Sequence, residues 1–212
     1  IEPARQPKYL RVINEETDRL TRLINDLLDL QKISAGKFKW KLEEIRLDQI
    51  VRNTVQTFSG AGAARNVQLV SQVDPGLPVV LGDNDKIVQL VANLLSNAIK
   101  FTRAGSKVVV TAERGEDPAF ITDHRFHAYV KVSTTDEGIG IAPENLEKIF
   151  EKFQQVEDHF TRSQGGTGLG LSICKEIVLH HGGKIWAEST VDVGSVFSFT
   201  IPYEEKPPGE RR

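Results

Sequence analysis

Leu10, Ile13, Thr17, Leu20, Ile24 and Leu27 recur at spacings of three and four, and Leu23 and Leu30 widen the stripe they form. That period predicts one long amphipathic helix over residues 8–34. No second helical pattern follows at once, so the stripe either folds back on the chain or pairs with another copy as in a coiled coil. Self-association is the expectation. Ala35-Gly36 breaks the period, Phe38, Trp40 and Leu42 then alternate as in a short strand, and a domain boundary is placed near residue 37.

Beyond it, Ile50, Val51, Val55 and Phe58 predict a helix from Asp48 to the Gly60–Ala63 stretch. Strands follow at 67–73 and, past Pro75-Gly76, at 78–81. Asp83 and Asp85 place negative charge at the mouth of the next helix, where the dipole favours it. Its apolar positions run from Ile87 through Ile99. Strands are expected at 107–113 and 128–134, joined by a polar stretch, 115–127, longer than a hairpin needs. Pro143 opens a predicted short helix, "PENLEKIF". A helix over 168–181 stops at His181-Gly182-Gly183, and strands at 184–188 and 196–201 close the pattern. Strands and helices come in runs rather than strict alternation. The expected class is therefore α+β, an open mixed sheet covered on one face by helices and preceded by one long amphipathic helix.

Composition narrows the function without naming it. A formal net charge of -2 and no basic block give no lead toward nucleic acid or an acidic membrane surface. The single cysteine, Cys174, sits on an apolar helical face and reads as a core thiol. No apolar run is long enough for a membrane span, so no direct membrane contact is expected of this piece. The chain starts at Ile1 and contains no methionine, which reads as a piece of a longer protein, possible membrane anchor included.

Four stretches carry candidate chemistry. Asn93, Asn97 and Lys100 follow at intervals of four and three, so they share a helix face that can hold a metal ion and phosphate, or simply be solvated. "DEGIGI" puts Asp136 at a strand end before Gly138 and Gly140; a carboxylate there can accept from an exocyclic amine, or the segment is a plain turn. "GGTGLGL", 165–171, clusters glycines directly before a helix, a mouth that suits phosphate or only close packing. "FEKF", 150–153, lies between the last two.

In this order the four closely resemble the asparagine box, first glycine box, phenylalanine box and second glycine box of the ATP-binding domain of bacterial sensor histidine kinases. The resemblance extends through "HGGKIWAESTVDVGSVFSFTIP" and covers about residues 45–203. Residues 1–36 resemble the second helix of the family's dimerisation and phosphotransfer domain, 37–203 the catalytic domain, and 204–212 form a polar tail.

The resemblance implies ATP and Mg²⁺ as ligands. By it, Asn97 is the metal-binding asparagine, Asn93 the earlier one of its box, and Lys100 the basic residue near the phosphates. Asp136 receives the adenine amine, and Gly138 and Gly140 let the backbone pass beneath the base. Gly166, Thr167, Gly168, Leu169 and Gly170 form the phosphate-facing loop. The segment between Phe153 and Gly165 corresponds to the mobile lid, with Phe150 and Phe153 anchoring its start. Where many members have an arginine soon after the phenylalanine box, this chain has Gln154 and Gln155, and Arg162 is the candidate cation instead.

No Gly-Lys-Ser/Thr loop appears, and the glycines do not follow a first strand, so neither a P-loop nor a dinucleotide fold fits. In the related gyrase and chaperone ATPases a glutamate resembles Asn93 in position, and an amide is no base at neutral pH, which disfavours hydrolysis. The implied reaction moves the γ-phosphoryl group of Mg-ATP to a histidine followed by an acidic residue on the first dimerisation helix. His124, His127, His159, His180 and His181 all lie elsewhere, and none precedes Asp or Glu. His124 and His127 are too sparse a set for a metal site. The expected reading is the catalytic part of a cytoplasmic histidine kinase, dimeric through its first helix and serving a response-regulator receiver domain. A gyrase-like ATPase and a degenerate nucleotide-holding regulatory module are the rivals.

Overall fold

The computed structural model describes residues 6–123, 125–154 and 167–204. The chain divides into two compact units, Ile1–Lys39 and Trp40–Arg212. The first contains helix α1, Gln6–Ser34, in which Leu10, Ile13, Leu20 and Ile24 stand exposed on the predicted stripe. Among the described residues no helix is long and apolar enough to cross a membrane.

The second unit is built on a five-stranded mixed sheet. Its strands are β2 (Gln68–Val73), β4 (Lys107–Gly115), β5 (Ala128–Asp136), β6 (Ile185–Thr190) and β7 (Gly194–Tyr203), in the order β2-β4-β5-β7-β6. Only the β2–β4 pair is parallel; the others are antiparallel. Register rows show why one face is covered. Val110 pairs with Thr134 and Thr134 with Phe197, while Ala112 pairs with Val132 and Val132 with Phe199. These side chains share a face and are buried. The alternate set includes Lys131, which meets Glu113 at 2.6 Å on the open face.

Helices α2 (Leu47–Ala64), α3 (Asn84–Phe101) and α4 (Gly170–His180) cover the apolar face. In α3 the residues Ile87, Leu90, Val91, Leu94, Leu95, Ala98 and Ile99 are buried. Each large aliphatic side chain removed from water in this way contributes about 1.5–3 kcal/mol. With that stripe committed to the core, Asn93, Asn97 and Lys100 are left on an adjoining, half-buried face. Asp83 caps α3 as its sequence position suggests, accepting from the Lys86 N–H at 3.2 Å. It also accepts from the Lys41 N–H at 2.9 Å, while its own N–H donates to His181 Nε2 at 3.0 Å. His181 Nδ1 donates in turn to the Ile177 carbonyl at 2.7 Å, so the far ends of α3 and α4 are tied by one neutral imidazole. Burial holds that imidazole below its ordinary pKa, which keeps Nε2 an acceptor.

Two expectations are corrected. "PENLEKIF" is not one helix but two 3₁₀ turns, Pro143–Asn145 and Lys148–Phe150, because eight residues opening on proline offer too few hydrogen bonds to offset helix nucleation. The strand expected at Phe38–Leu42 forms later, as β1 (Leu42–Ile45), paired antiparallel with β3 (Val80–Asp83). Burial of Ile45 and Val80, which pair in that register, accounts for the shift. Trp40 instead stacks on His180, ring centroids 3.9 Å apart. Cys174 is fully buried, as expected of a core thiol.

The polar stretch 115–127 has a structure that its sequence hides. Asp117 caps a 3₁₀ turn at Pro118–Phe120, Ile121 bridges to Gly183, and the Phe120 ring lies 4.7 Å from that of Trp186. It is fastened to the beginning of β6.

Candidate functional site

Asp136 is the last residue of β5, on the helix-covered face, and only 6% of its surface is exposed. Burial raises its pKa from 3.8 to about 6, opposed by backbone N–H groups of Gly138 and Ser195 that stabilise the carboxylate. The Gly138 N–H donates to Oδ1 at 2.8 Å. Those two donors leave acceptor capacity on the carboxylate, since an ionised carboxyl offers about four lone-pair sites.

The loop after Asp136 is pressed against the end of α3. Thr102, the C-cap of α3, forms an isolated bridge with Gly138, which brings the Lys100 turn to the first glycine loop. The Lys100 ammonium lies 4.6 Å from the Phe101 ring centroid. The other end of the site comes from α4. Leu169 precedes its first residue with no side-chain cap, and Thr167 Oγ1 accepts from the Leu169 N–H at 3.2 Å. Gly170 faces Asn93: a Cβ added at Gly170 would stand 3.8 Å from the Asn93 amide. The first turn of α4, with its outward N–H groups, therefore meets the polar face of α3.

Gly168 has φ of +70°, and a Cβ there would come within 2.9 Å of the Phe153 backbone. The Phe153 N–H donates to the Gly168 carbonyl at 3.0 Å. The phenylalanine box is thus joined to the second glycine loop through backbone. Phe150 is buried against Phe197, but the Phe153 side chain is 64% exposed, so Phe153 is held here through its main chain. Arg162, Gly166 and nearly all of the expected lid lie outside the described residues.

Among the described residues, three buried side-chain atoms have no hydrogen-bond partner: Asn93 Nδ2, Thr102 Oγ1 and Thr134 Oγ1. All three adjoin this region. Asn93 faces Gly170, Thr102 bridges to Gly138, and Thr134 precedes Asp136 by two residues on the same face of β5. An unsatisfied buried polar group costs about 1–3 kcal/mol, so such a cluster suits a surface that completes its hydrogen bonds with a polar ligand. Asparagine oxygens are also hard neutral donors of the kind Mg²⁺ accepts. The residues therefore fit both a nucleotide and a magnesium ion.

Residues 82–205 match the family described as histidine kinase-, DNA gyrase B-, and HSP90-like ATPase, and residues 2–36 match the His Kinase A (phospho-acceptor) domain. The chain belongs to this ATPase family, as a member of its histidine-kinase branch. The sensor histidine kinase WalK of Bacillus subtilis is 35% identical over 200 residues, 94% of this chain and 31% of that protein. Full-length ShkA in complex with AMPPNP aligns at 28% identity with a TM-score of 0.76, over 93% of this chain and 38% of that one. The histidine kinase ThkA, solved in complex with the response regulator protein TrrA, aligns at 29% identity with a TM-score of 0.69, over 100% of this chain and 54% of that one. The chain spans less than a third of the length of the curated relatives it matches.

Ser195 and Thr134 were not marked by the sequence reading. Thr134 could have been found by period-two alternation from Asp136. Ser195 could not, because its link to Asp136 depends on the β5–β7 register.

Proposed function

We propose that this chain binds Mg-ATP and supplies its γ-phosphoryl group to an acceptor histidine on a preceding helix, as the catalytic part of a two-component signalling kinase. The observation that carries the reading is the set of partnerless buried atoms at Asn93, Thr102 and Thr134, gathered beside an acceptor carboxylate and a glycine-flanked helix mouth. Asp136 accepts from the adenine amine. Gly138 and Gly140 allow the base to lie on backbone, and Lys100 places positive charge on the phosphate side. Thr167, Gly168, Leu169 and Gly170 turn main-chain N–H groups toward the phosphates, with Gly166 and Arg162 assigned to the same side by resemblance. Asn97, with Asn93 beside it, holds the magnesium ion, which neutralises phosphate charge when bound. Catalysis by such a site is position and charge neutralisation, with the nucleophile brought from elsewhere.

Residues 1–36 are proposed as the second helix of the dimerisation domain, 37–203 as the catalytic domain and 204–212 as a tail. The setting is cytoplasmic, with a response-regulator receiver domain as downstream partner. The exposed stripe of α1 is the proposed dimer contact. The Leu20→Asp, Ile24→Asp double variant is expected to sediment as monomer at concentrations where the parent chain associates; a parent chain that stays monomeric at every concentration removes the contact.

The test of the metal assignment is Asn97→Ala. Calorimetric titration should find Mg-ATP weakened about tenfold, the scale of one lost charge-assisted contact, and metal-free ATP changed by less than twofold. Equal weakening of both would refute a role for Asn97 at the metal.

A further inference from the structure

The turn between β6 and β7 carries none of the residues assigned to the nucleotide, yet it grips the loop that does. Gly194 pairs with Thr190, and a Cβ at Gly194 would collide with the Asp136 carbonyl. Gly140, with φ of +71°, leaves no room for a Cβ against the Thr190 carbonyl. The Asp192 N–H donates to the Ile139 carbonyl at 2.8 Å, and the Asp192 carboxylate meets Arg103, just past α3, at 3.0 Å. Two backbones held this closely behave as one piece.

At the centre of the grip is Ser189. Its hydroxyl donates to the Gly194 carbonyl at 2.8 Å and accepts from the Ile141 N–H at 2.8 Å. Because its one proton is used on Gly194, the 2.9 Å contact with Ser195 is donated by the Ser195 hydroxyl. One donor and two acceptor positions are all filled. Register explains the placement: Ser189 pairs with Ser195, and Ser195 with Asp136, so the three form one row across β6, β7 and β5 on the helix-covered face. Ser195 lies directly across from Asp136 in the β5–β7 ladder, and its backbone N–H favours the ionised form of that carboxylate.

We propose that Ser189 is a positioning residue for the nucleotide base: its hydroxyl fixes Ser195 and Ile141 together, and thereby sets the Asp136 carboxylate and the Gly138–Ile141 loop in one frame. This rests on the reading of Asp136 as the acceptor of the adenine amine. Ser189 touches no ligand atom and acts only through these neighbours. Removing its oxygen leaves the Ile141 N–H without its acceptor and frees Ser195, whose N–H favours the ionised form of Asp136.

The test is a set of ATP titrations between pH 5 and pH 8 on the full 212-residue chain and its Ser189→Ala, Ser189→Val and Ser189→Thr variants. Melting curves confirm folding. Ser189→Ala and Ser189→Val are expected to weaken ATP about three- to tenfold at pH 7.5, the scale of one lost hydrogen bond. They should also move the midpoint of the acid-side loss of binding upward by about half a pH unit or more, because the Ser195 N–H that favours the ionised carboxylate is displaced. The titration of ATP itself is common to all variants and cancels. Ser189→Thr keeps the hydroxyl and should restore both values, although it is the same shape as Val. Weakening with an unmoved midpoint, or Thr behaving as Val does, overturns the proposal in favour of a general packing role. Parent-like binding by Ala and Val overturns it too. In that event Asp136→Ala separates the cases: weakened ATP binding leaves the adenine reading intact, and unchanged binding removes that reading as well.

Discussion

Asp136→Ala and Asp136→Asn should each weaken ATP binding ten- to hundred-fold. A charge-assisted hydrogen bond to a buried carboxylate is worth about 1.5–3 kcal/mol, and each 1.4 kcal/mol is tenfold in affinity. The same carboxylate makes the effect depend on pH. Its pKa of about 6 lies above the ordinary 3.8, because burial disfavours the charge more than the Gly138 and Ser195 donors restore it. The contribution of this group to fold stability is therefore fully present below about pH 4 and is lost as pH rises through about 6. Ligand binding has the opposite sign, since only the ionised form accepts from an amine without competition from its own proton. ATP affinity of the parent chain should fall about tenfold between pH 7.5 and pH 5, measured relative to Asp136→Asn, which cannot titrate. Asp136→Asn should in addition melt higher than the parent at pH 7.5, because it removes a buried charge. Unchanged ATP affinity in a folded Asp136→Ala chain takes Asp136 out of the site.

The parts of the candidate site legible in sequence are those whose signal is local. Asp136, Gly138, Asn93 and Asn97 become candidates through local grammar: a carboxylate at a strand end, a glycine pair and amides at helical spacing beside leucines. The order of the four boxes, not any one of them, gives them roles. The cap at Asp83 and the extent of α3 follow from the same short-range rules. What could not be read depends on register or on competition between local forms. Ser189 and Ser195 are ordinary strand residues until β6 and β7 pair, and only the row Ser189, Ser195, Asp136 gives them a task. Trp40 fits a strand by alternation, but its ring is taken by His180, and the ladder begins at Leu42 instead. Phe153 carries the aromatic signature of its box while its backbone, at φ of +63°, makes the contact with Gly168. In each case the residue type was informative and the atom that acts was not.

The acceptor separates what this chain can do alone from what a longer protein does. The residues proposed for the nucleotide form a connected surface: Asn93 faces Gly170, Thr102 bridges to Gly138, and Asp136 accepts from the Gly138 N–H. The chain should therefore bind Mg-ATP. None of its histidines has the acceptor's context. His180 stacks on Trp40, and burial beside His181 holds its pKa below the ordinary value. His181 carries its proton on Nδ1, donated to Ile177, and its one in-plane lone pair, on Nε2, is taken by the Asp83 N–H, so none is open to attack a phosphorus. His127 is exposed but precedes Ala128, not an acidic residue. With γ-labelled ATP and Mg²⁺, the chain should incorporate no acid-labile phosphate, whereas a longer chain carrying the preceding dimerisation helix with its histidine should be labelled under identical conditions. A mixture of this chain with that helix pair supplied separately should also label the helix, since positioning rather than covalent continuity is what the site contributes. Stoichiometric acid-labile label on this chain, mapped to one of its five histidines, would place the nucleophile inside it and overturn the assignment of the acceptor to another helix. Failure of the longer chain to label, despite tight ATP binding, would instead identify a domain that holds nucleotide to regulate a partner, and steady release of inorganic phosphate without labelling would identify an ATPase.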